Sequence, residues 1–161
     1  MTKAIFTGTF DPFTLGHANI VRQAREVFNS IIVAVALDTG RLSVTDIKTR
    51  VDIAEKSLKG ISGVEVVPFS GLLTDFAASN NTPFIVRGLR GEADFIQEQQ
   101  LSAIYKTQNS SIKPVYFITD CTYAHISASV VRELVRLKGN ISAYVNASAK
   151  DLIIKTYKTY E

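Results

Sequence analysis

Residues 4 to 17 read Ala-Ile-Phe-Thr-Gly-Thr-Phe-Asp-Pro-Phe-Thr-Leu-Gly-His, and the groups in this string that could do chemistry are Thr9, Phe10 and His17. A hydroxyl and an imidazole around a Gly/Asp/Pro turn suit a triphosphate. Ala4, Ile5 and Phe6 suffice for a buried strand, which Gly8 and the Asp11-Pro12 pair then break with turn chemistry. Beyond the turn, Ile20, Val21, Ala24, Val27 and Phe28 recur on one face of a 3.6-residue period, so His17 falls in the first turn of a helix. Free N–H groups at such an end attract anions, and an imidazole adds a directed donor. Taken alone, the string also fits a plain connecting turn in which Thr14 caps the helix and His17 is solvated.

Two further groups stand out. Arg87 and Arg90 flank Gly88 just beyond an apolar run at residues 84–86, an arrangement that makes a phosphate fork with room for close backbone approach, or else a pair of solvated loop arginines. Ser127 and Ser129 precede the periodic residues Val130, Val131, Leu134 and Val135 and read as a helix N-terminus, capping included. Glu98 lies one helical turn after Asp94, where a carboxylate is usually solvated. Leu73, in Gly71-Leu72-Leu73, reads as core.

The elements that must position these groups follow from apolar runs at residues 4–6, 31–37, 64–67 (interrupted by Glu65), 84–86 and 115–118. Segments of helical period separate them, at residues 18–28, 49–58, 72–79, 93–105 and 129–137. Strands that do not alternate in polarity belong to a parallel sheet covered on both faces. The expected fold is therefore α/β: a single-domain, Rossmann-like sheet of five parallel strands with helices on both faces and right-handed crossovers. Ligands in such sheets bind beyond the carboxyl ends of the strands, where each of the motifs begins. After Gly139 the pattern weakens into a helical segment over about residues 140–161, in which Leu152, Ile153, Ile154 and Tyr157 form a stripe for packing or subunit contact.

At 161 residues one domain is enough. The 18 Lys and Arg against 15 Asp and Glu give a net charge of +3, spread along the chain, which does not indicate nucleic-acid binding. One cysteine, Cys121, fits a reducing compartment. The longest apolar run is too short for a bilayer and no cleavable leader is evident, so a soluble cytoplasmic protein is expected. Neither G-x-G-x-x-G after the first strand nor G-x-x-x-x-G-K is present, which disfavours a dehydrogenase or a P-loop ATPase.

The string Gly8-Thr9-Phe10-Asp11-Pro12 followed by Thr14-Leu15-Gly16-His17 resembles the T/H-x-G-H signature of the nucleotidylyltransferases. Arg87-Gly88-Leu89-Arg90 with Ala93-Asp94-Phe95 and Glu98, and Ile126-Ser127-Ala128-Ser129 with Val131, Arg132 and Glu133, match two further blocks of the phosphopantetheine adenylyltransferase family. The resemblance, from Lys3 to about Gly139, implies adenylyl transfer from ATP to 4'-phosphopantetheine, giving dephospho-coenzyme A and pyrophosphate. It implies His17 as the group stabilising the pentacoordinate transition state, and Arg41 as a second catalytic group that also contacts the phosphopantetheine phosphate. Thr9 and Phe10 would approach both substrates, Arg87 and Leu73 the phosphopantetheine, and Gly88, Leu89, Arg90 and Glu98 the ATP. Tyr123, Ala124, His125, Ile126, Ser127, Ala128 and Ser129 would wrap the nucleotide, with the His125 imidazole itself a bystander. It further implies Mg2+ held chiefly by ATP phosphates with no protein metal ligands, a homohexamer, and restraint by coenzyme A.

The reaction suits this set of residues. A phosphate monoester is already ionised near neutral pH and needs no general base, so the task is to bring two polyanions together and neutralise the charge that develops. Four positions depart from the family pattern: Arg41 stands for a usual lysine, Thr7 for a proline, Tyr123 for a tryptophan and Ala128 for a serine. Arginine keeps the charge but replaces a compact ammonium with a planar fork. Another acceptor, such as nicotinate mononucleotide, glycerol phosphate or a sugar phosphate, or a nucleotide-binding sensor without turnover, remains compatible with these residues.

Overall fold

The apolar runs pair side by side because each is too short and too hydrophobic to stand in water. In a computed structural model describing residues 2–37 and 43–158, they form one five-stranded parallel sheet in the order β3-β2-β1-β4-β5. The strands are β1 (Lys3–Gly8), β2 (Ser30–Ala36), β3 (Val64–Phe69), β4 (Phe84–Leu89) and β5 (Lys113–Ile118). Helices α1 (Leu15–Val27), α2 (Ile47–Ser57), α3 (Leu73–Ser79), α4 (Glu92–Gln108), α5 (Ala128–Arg136) and α6 (Ala147–Tyr157) complete the chain.

Successive strand residues face opposite sides, so one sheet carries two cores. Ala4, Phe6, Ile31, Val33 and Val35 point to the face covered by α1, α2, α5 and α6, where they meet Val21, Ile53, Val131 and Ile153. Ile5, Ile32, Ala34 and Ile85 point to the other face and meet Ala77 of α3 and Tyr105 of α4. Expectation and structure agree on a parallel sheet covered on both sides. Pro68 and Pro114 lie in the two edge strands, where a missing N–H costs no ladder bond on the open side.

The boundaries carry one correction. Residues 87 to 89 belong to β4 and not to the loop beyond it, because β5 pairs with them through Arg87–Tyr116, Gly88–Phe117 and Leu89–Ile118. The polar Arg87 and the glycine hid this continuation in the sequence. Among the described residues no helix is long and apolar enough to cross a membrane.

Ile31 is fully buried on β2. Ile31→Ala should cost about 2–5 kcal/mol, read as a lower urea midpoint with an unchanged slope.

Candidate active site

Strand order reverses between β1 and β4: the chain builds outward through β2 and β3, then returns to the opposite side of β1. Such a switch point opens a crevice at the carboxyl ends of the strands. Here β1 and β4 register only at Ile5–Ile85 and Phe6–Val86, whereas β1 and β2 stay paired through Gly8–Val35. Beyond Phe6 the two strands part. Arg87 occupies the gap, donating from Nη1 to the Thr7 carbonyl at 3.0 Å in place of a ladder bond.

A cavity of about 810 Å³ opens at this point. From β1 and its turn it is lined by Thr9 and Phe10, from α1 by His17, and from β4 and its end by Arg87, Gly88 and Arg90. Leu73 and Glu98 contribute from α3 and α4, and Ile126, Ser127, Ala128 and Ser129 from the start of α5. The structure thus gathers residues from all three sequence blocks into one wall. Leu89, Tyr123, Ala124 and His125 do not line it; His125 packs edge-on against Tyr144 at 5.9 Å instead. Arg41 lies outside the described residues.

His17 is held from both ends. Thr14 caps α1, and the Thr14 backbone N–H donates to His17 Nδ1 at 3.0 Å while the His17 N–H returns to Thr14 Oγ1 at 3.4 Å, a closed capping box. A backbone N–H can only donate, so Nδ1 is an acceptor and the neutral ring carries its hydrogen on Nε2. Phe10, Phe13 and Phe6 surround the imidazole at centroid distances of 5.0, 5.2 and 6.4 Å. Burial among them, with the positive Arg90 adding to it, lowers the His17 pKa from 6.5 to about 4. The ring that closes the capping box is thus half-buried against the phenylalanines and also lines the cavity.

The helix end offers fewer free amides than its sequence suggests, since the Leu15 N–H bonds to the Tyr144 carbonyl at 2.9 Å and the His17 N–H is taken. The imidazole supplies the directed donor. Phe10 adopts a left-handed backbone, φ 48°, uncommon for a residue other than glycine, and its ring is locked against Phe6 and Phe13 at 5.1 and 5.0 Å. Gly8 is required beside it, because a Cβ there would lie 2.9 Å from the Phe10 ring.

The cations are also fixed in advance. Arg87 bonds Glu98 Oε1 through Nε at 2.8 Å and again through Nη2. Among the described residues, two of its five N–H groups are left without a partner. Glu98 is buried and not on a solvated helix face, and its Oε2 has no hydrogen-bond partner among the described residues. Arg90 Nε pairs with Asp94 Oδ2 at 3.2 Å and its Nη1 reaches the Ile126 carbonyl at 3.4 Å, joining the β4 and α5 sides of the wall. Ser127 caps α5 by accepting from the Val130 N–H at 3.2 Å, with Ser129 Oγ at 3.1 Å.

Sequence reasoning missed Arg132 as a wall residue, although it stands one helical turn after Ala128 and so shares its face. It also missed Tyr105 and Leu101, which line the α4 side. A neutral Nε2–H donor, two braced guanidinium groups and serine hydroxyls around one cavity are a set of donors that could serve a polyphosphate.

The cytidylyltransferase-like family matches residues 5–134. Phosphopantetheine adenylyltransferase of Nitrosomonas eutropha is 40% identical over 146 residues, covering 91% of this chain and 89% of the relative. That of Moorella thermoacetica is 36% identical over 157 residues, 98% of each chain. The chain belongs to the phosphopantetheine adenylyltransferase family. Its nucleotidyltransferase class follows from the same matches. A crystal structure provisionally assigned as a nicotinate-nucleotide adenylyltransferase of Vibrio parahaemolyticus superposes with a TM-score of 0.74 over 99% of this chain and 97% of that one; at 18% identity it shows the shared fold alone.

The lowered His17 pKa has a consequence for stability. As pH falls below 6.5 the unfolded chain takes up the proton first, so the native state loses stability from there down to about 4. Between pH 7 and pH 4.5 the wild-type protein should lose about 2 kcal/mol more than His17→Gln, compared by urea unfolding. Equal losses would mean that the imidazole is not held neutral.

Proposed function

We propose that this member of the phosphopantetheine adenylyltransferase family transfers the adenylyl group of ATP to 4'-phosphopantetheine, giving dephospho-coenzyme A and pyrophosphate. The observation that carries the reading is the convergence of His17, Arg87 and Arg90 on one cavity at the switch point, in a chain matched nearly end to end by relatives of that name.

The acceptor phosphate attacks the α-phosphorus in line with the departing pyrophosphate: one P–O bond forms as another breaks, and no proton need leave a hydroxyl first. The Nε2–H of His17 donates to the α-phosphoryl oxygens as charge builds there, a contribution of about 2.7–4 kcal/mol for a preorganised donor. A neutral imidazole serves throughout the working pH range, since it is a donor and not a base. Thr9 and Phe10 shape the turn on which both substrates meet. Arg90 and Gly88, with Ile126, Ala128 and the Ser127 and Ser129 hydroxyls, hold the nucleotide, and Glu98 acts by fixing the Arg87 guanidinium. Arg87 offers its two remaining N–H groups to the phosphopantetheine, Leu73 supports the apolar arm, and Arg41 supplies a further cation at the reacting phosphates.

Mg2+ fits this site as a companion of ATP. Asp94 and Glu98 each give an oxygen to Arg90 and Arg87, so phosphate oxygens and water would be its main ligands, and it would supply charge neutralisation. Assembly as a homohexamer is supported by exposed Phe95, Ile96 and Ile104 along α4. Coenzyme A, which contains the product's own structure, would compete for the same cavity and restrain the enzyme. A cytoplasmic setting suits the free Cys121.

The test is pyrophosphate release with ATP and a panel of acceptors. Phosphopantetheine should be turned over, and nicotinate mononucleotide, glycerol phosphate and sugar phosphates should not; nucleotide binding without any release would indicate a sensor. His17→Ala should lower kcat at least a hundredfold, with ATP affinity little changed, because the interaction develops in the transition state. Arg41→Ala should raise KM for phosphopantetheine, and an unchanged KM would remove Arg41 from acceptor binding.

A further inference from the structure

Asp11 sits in the motif turn, 5% exposed, and its oxygens are engaged by three different parts of the chain. Oδ1 accepts from the Tyr157 hydroxyl at 2.5 Å, Oδ2 from the Val44 N–H at 2.7 Å, and the carbonyl oxygen from Arg132 Nη1. Two residues earlier, the Thr9 carbonyl accepts from Nη1 of Arg50, which also donates to the Ala36 carbonyl, at 2.7 and 2.8 Å. The turn at residues 9–11 is thereby fastened from α2, α5 and α6 at once.

Tyr157 is the distant member, 146 residues away in sequence and 3% exposed. Packing of α6 needs only the apolar body of the ring. A buried hydroxyl is costly unless paired, and this one is paired to a carboxylate inside the motif. Burial and the bond to Asp11 hold the phenol well above its usual pKa, against the opposing influence of Arg132 and Arg50, so the hydroxyl stays a donor.

We propose that Tyr157 is a positioning residue for adenylyl transfer: through Asp11, its hydroxyl sets the turn carrying Thr9 and Phe10 against Arg132 and fixes both on the cavity wall. The inference rests on the phosphate-transfer reading of that cavity. The last helix then belongs to the reaction apparatus and not to packing alone.

Full-length Tyr157→Phe, which keeps the ring, tests it by steady-state kinetics and residue-resolved hydrogen exchange. Loss of one bond to a charged group should lower kcat/KM about tenfold. The Val44 amide should exchange about tenfold faster while amides of β1 and β2 keep their rates, a local opening distinct from global destabilisation. In an Asp11→Asn background the same substitution should change kcat/KM less than about twofold, since the path is already cut. Unchanged kcat/KM with unchanged Val44 exchange would overturn the proposal, as would a uniform rise in exchange across the sheet. Should Tyr157→Phe not fold, the wild-type protein decides: a Val44 amide as slow as those of β2 supports the latch, and one as fast as an exposed loop overturns it. Absence of turnover by the wild-type protein would remove the functional reading, while Val44 exchange would still judge the contact.

Discussion

Beyond Phe6 and Val86 the two central strands no longer register with each other, and the rest of the site depends on that parting. A parallel sheet that stayed paired to its ends would leave no room between β1 and β4. Once they separate, the backbone at Thr7 faces a gap, and Arg87 fills the unmet bond. The same residue that completes the sheet therefore brings positive charge to the crevice floor. Gly88 follows for a related reason: a Cβ there would lie 2.8 Å from Ile20 Cγ1, so only glycine lets α1 settle against β4 with His17 at its head.

The electrostatics show how two guanidinium groups share one cavity wall. Free guanidinium groups crowded together would repel one another and sample many rotamers. Each is instead braced by a carboxylate, Arg87 by Glu98 and Arg90 by Asp94, which cancels charge while leaving N–H groups to spare. Donors fixed in this way need no rearrangement when phosphate arrives, the condition under which preorganisation lowers a barrier. His17 follows the opposite logic: caged by three phenylalanines beside Arg90, it cannot hold a second positive charge, so it offers a hydrogen bond and no net charge.

Much of this was legible in the sequence because local pattern and global fold agree. Five apolar runs alternating with helical periods are enough for the parallel sheet, and turn chemistry at Gly8 and Asp11-Pro12 is enough for the strand–turn–helix start. What escaped were partners set by tertiary distance. Nothing near Glu98 announces a bond to Arg87, eleven positions away on another element, and a lone helical carboxylate reads as solvated. Arg50 is a buried cation in the middle of a helix, 1% exposed, which periodicity cannot distinguish from a surface residue. The extension of β4 escaped because a polar side chain that turns back to bond backbone interrupts an apolar run without ending the strand.

The two sheet faces also divide the labour differently. Donors that suit a triphosphate come from chain turns and helix starts, at Thr9, His17, Ser127 and Ser129, positions fixed by backbone geometry and short motifs. The α3 and α4 side of the cavity is walled by Leu73, Leu101 and Tyr105, side chains chosen by size and polarity with no motif spacing. A phosphate looks the same on every substrate, so its donors can be held by rigid local rules. An acceptor arm must be told from its rivals by shape, and shape is read by side chains alone, where methylene-sized differences are worth only about 1–3 kcal/mol. On the proposed reading, the acceptor side is therefore walled in part by residues that no motif spacing marks, Leu101 and Tyr105, whereas the donors at Thr9, His17, Ser127 and Ser129 announce themselves in short motifs.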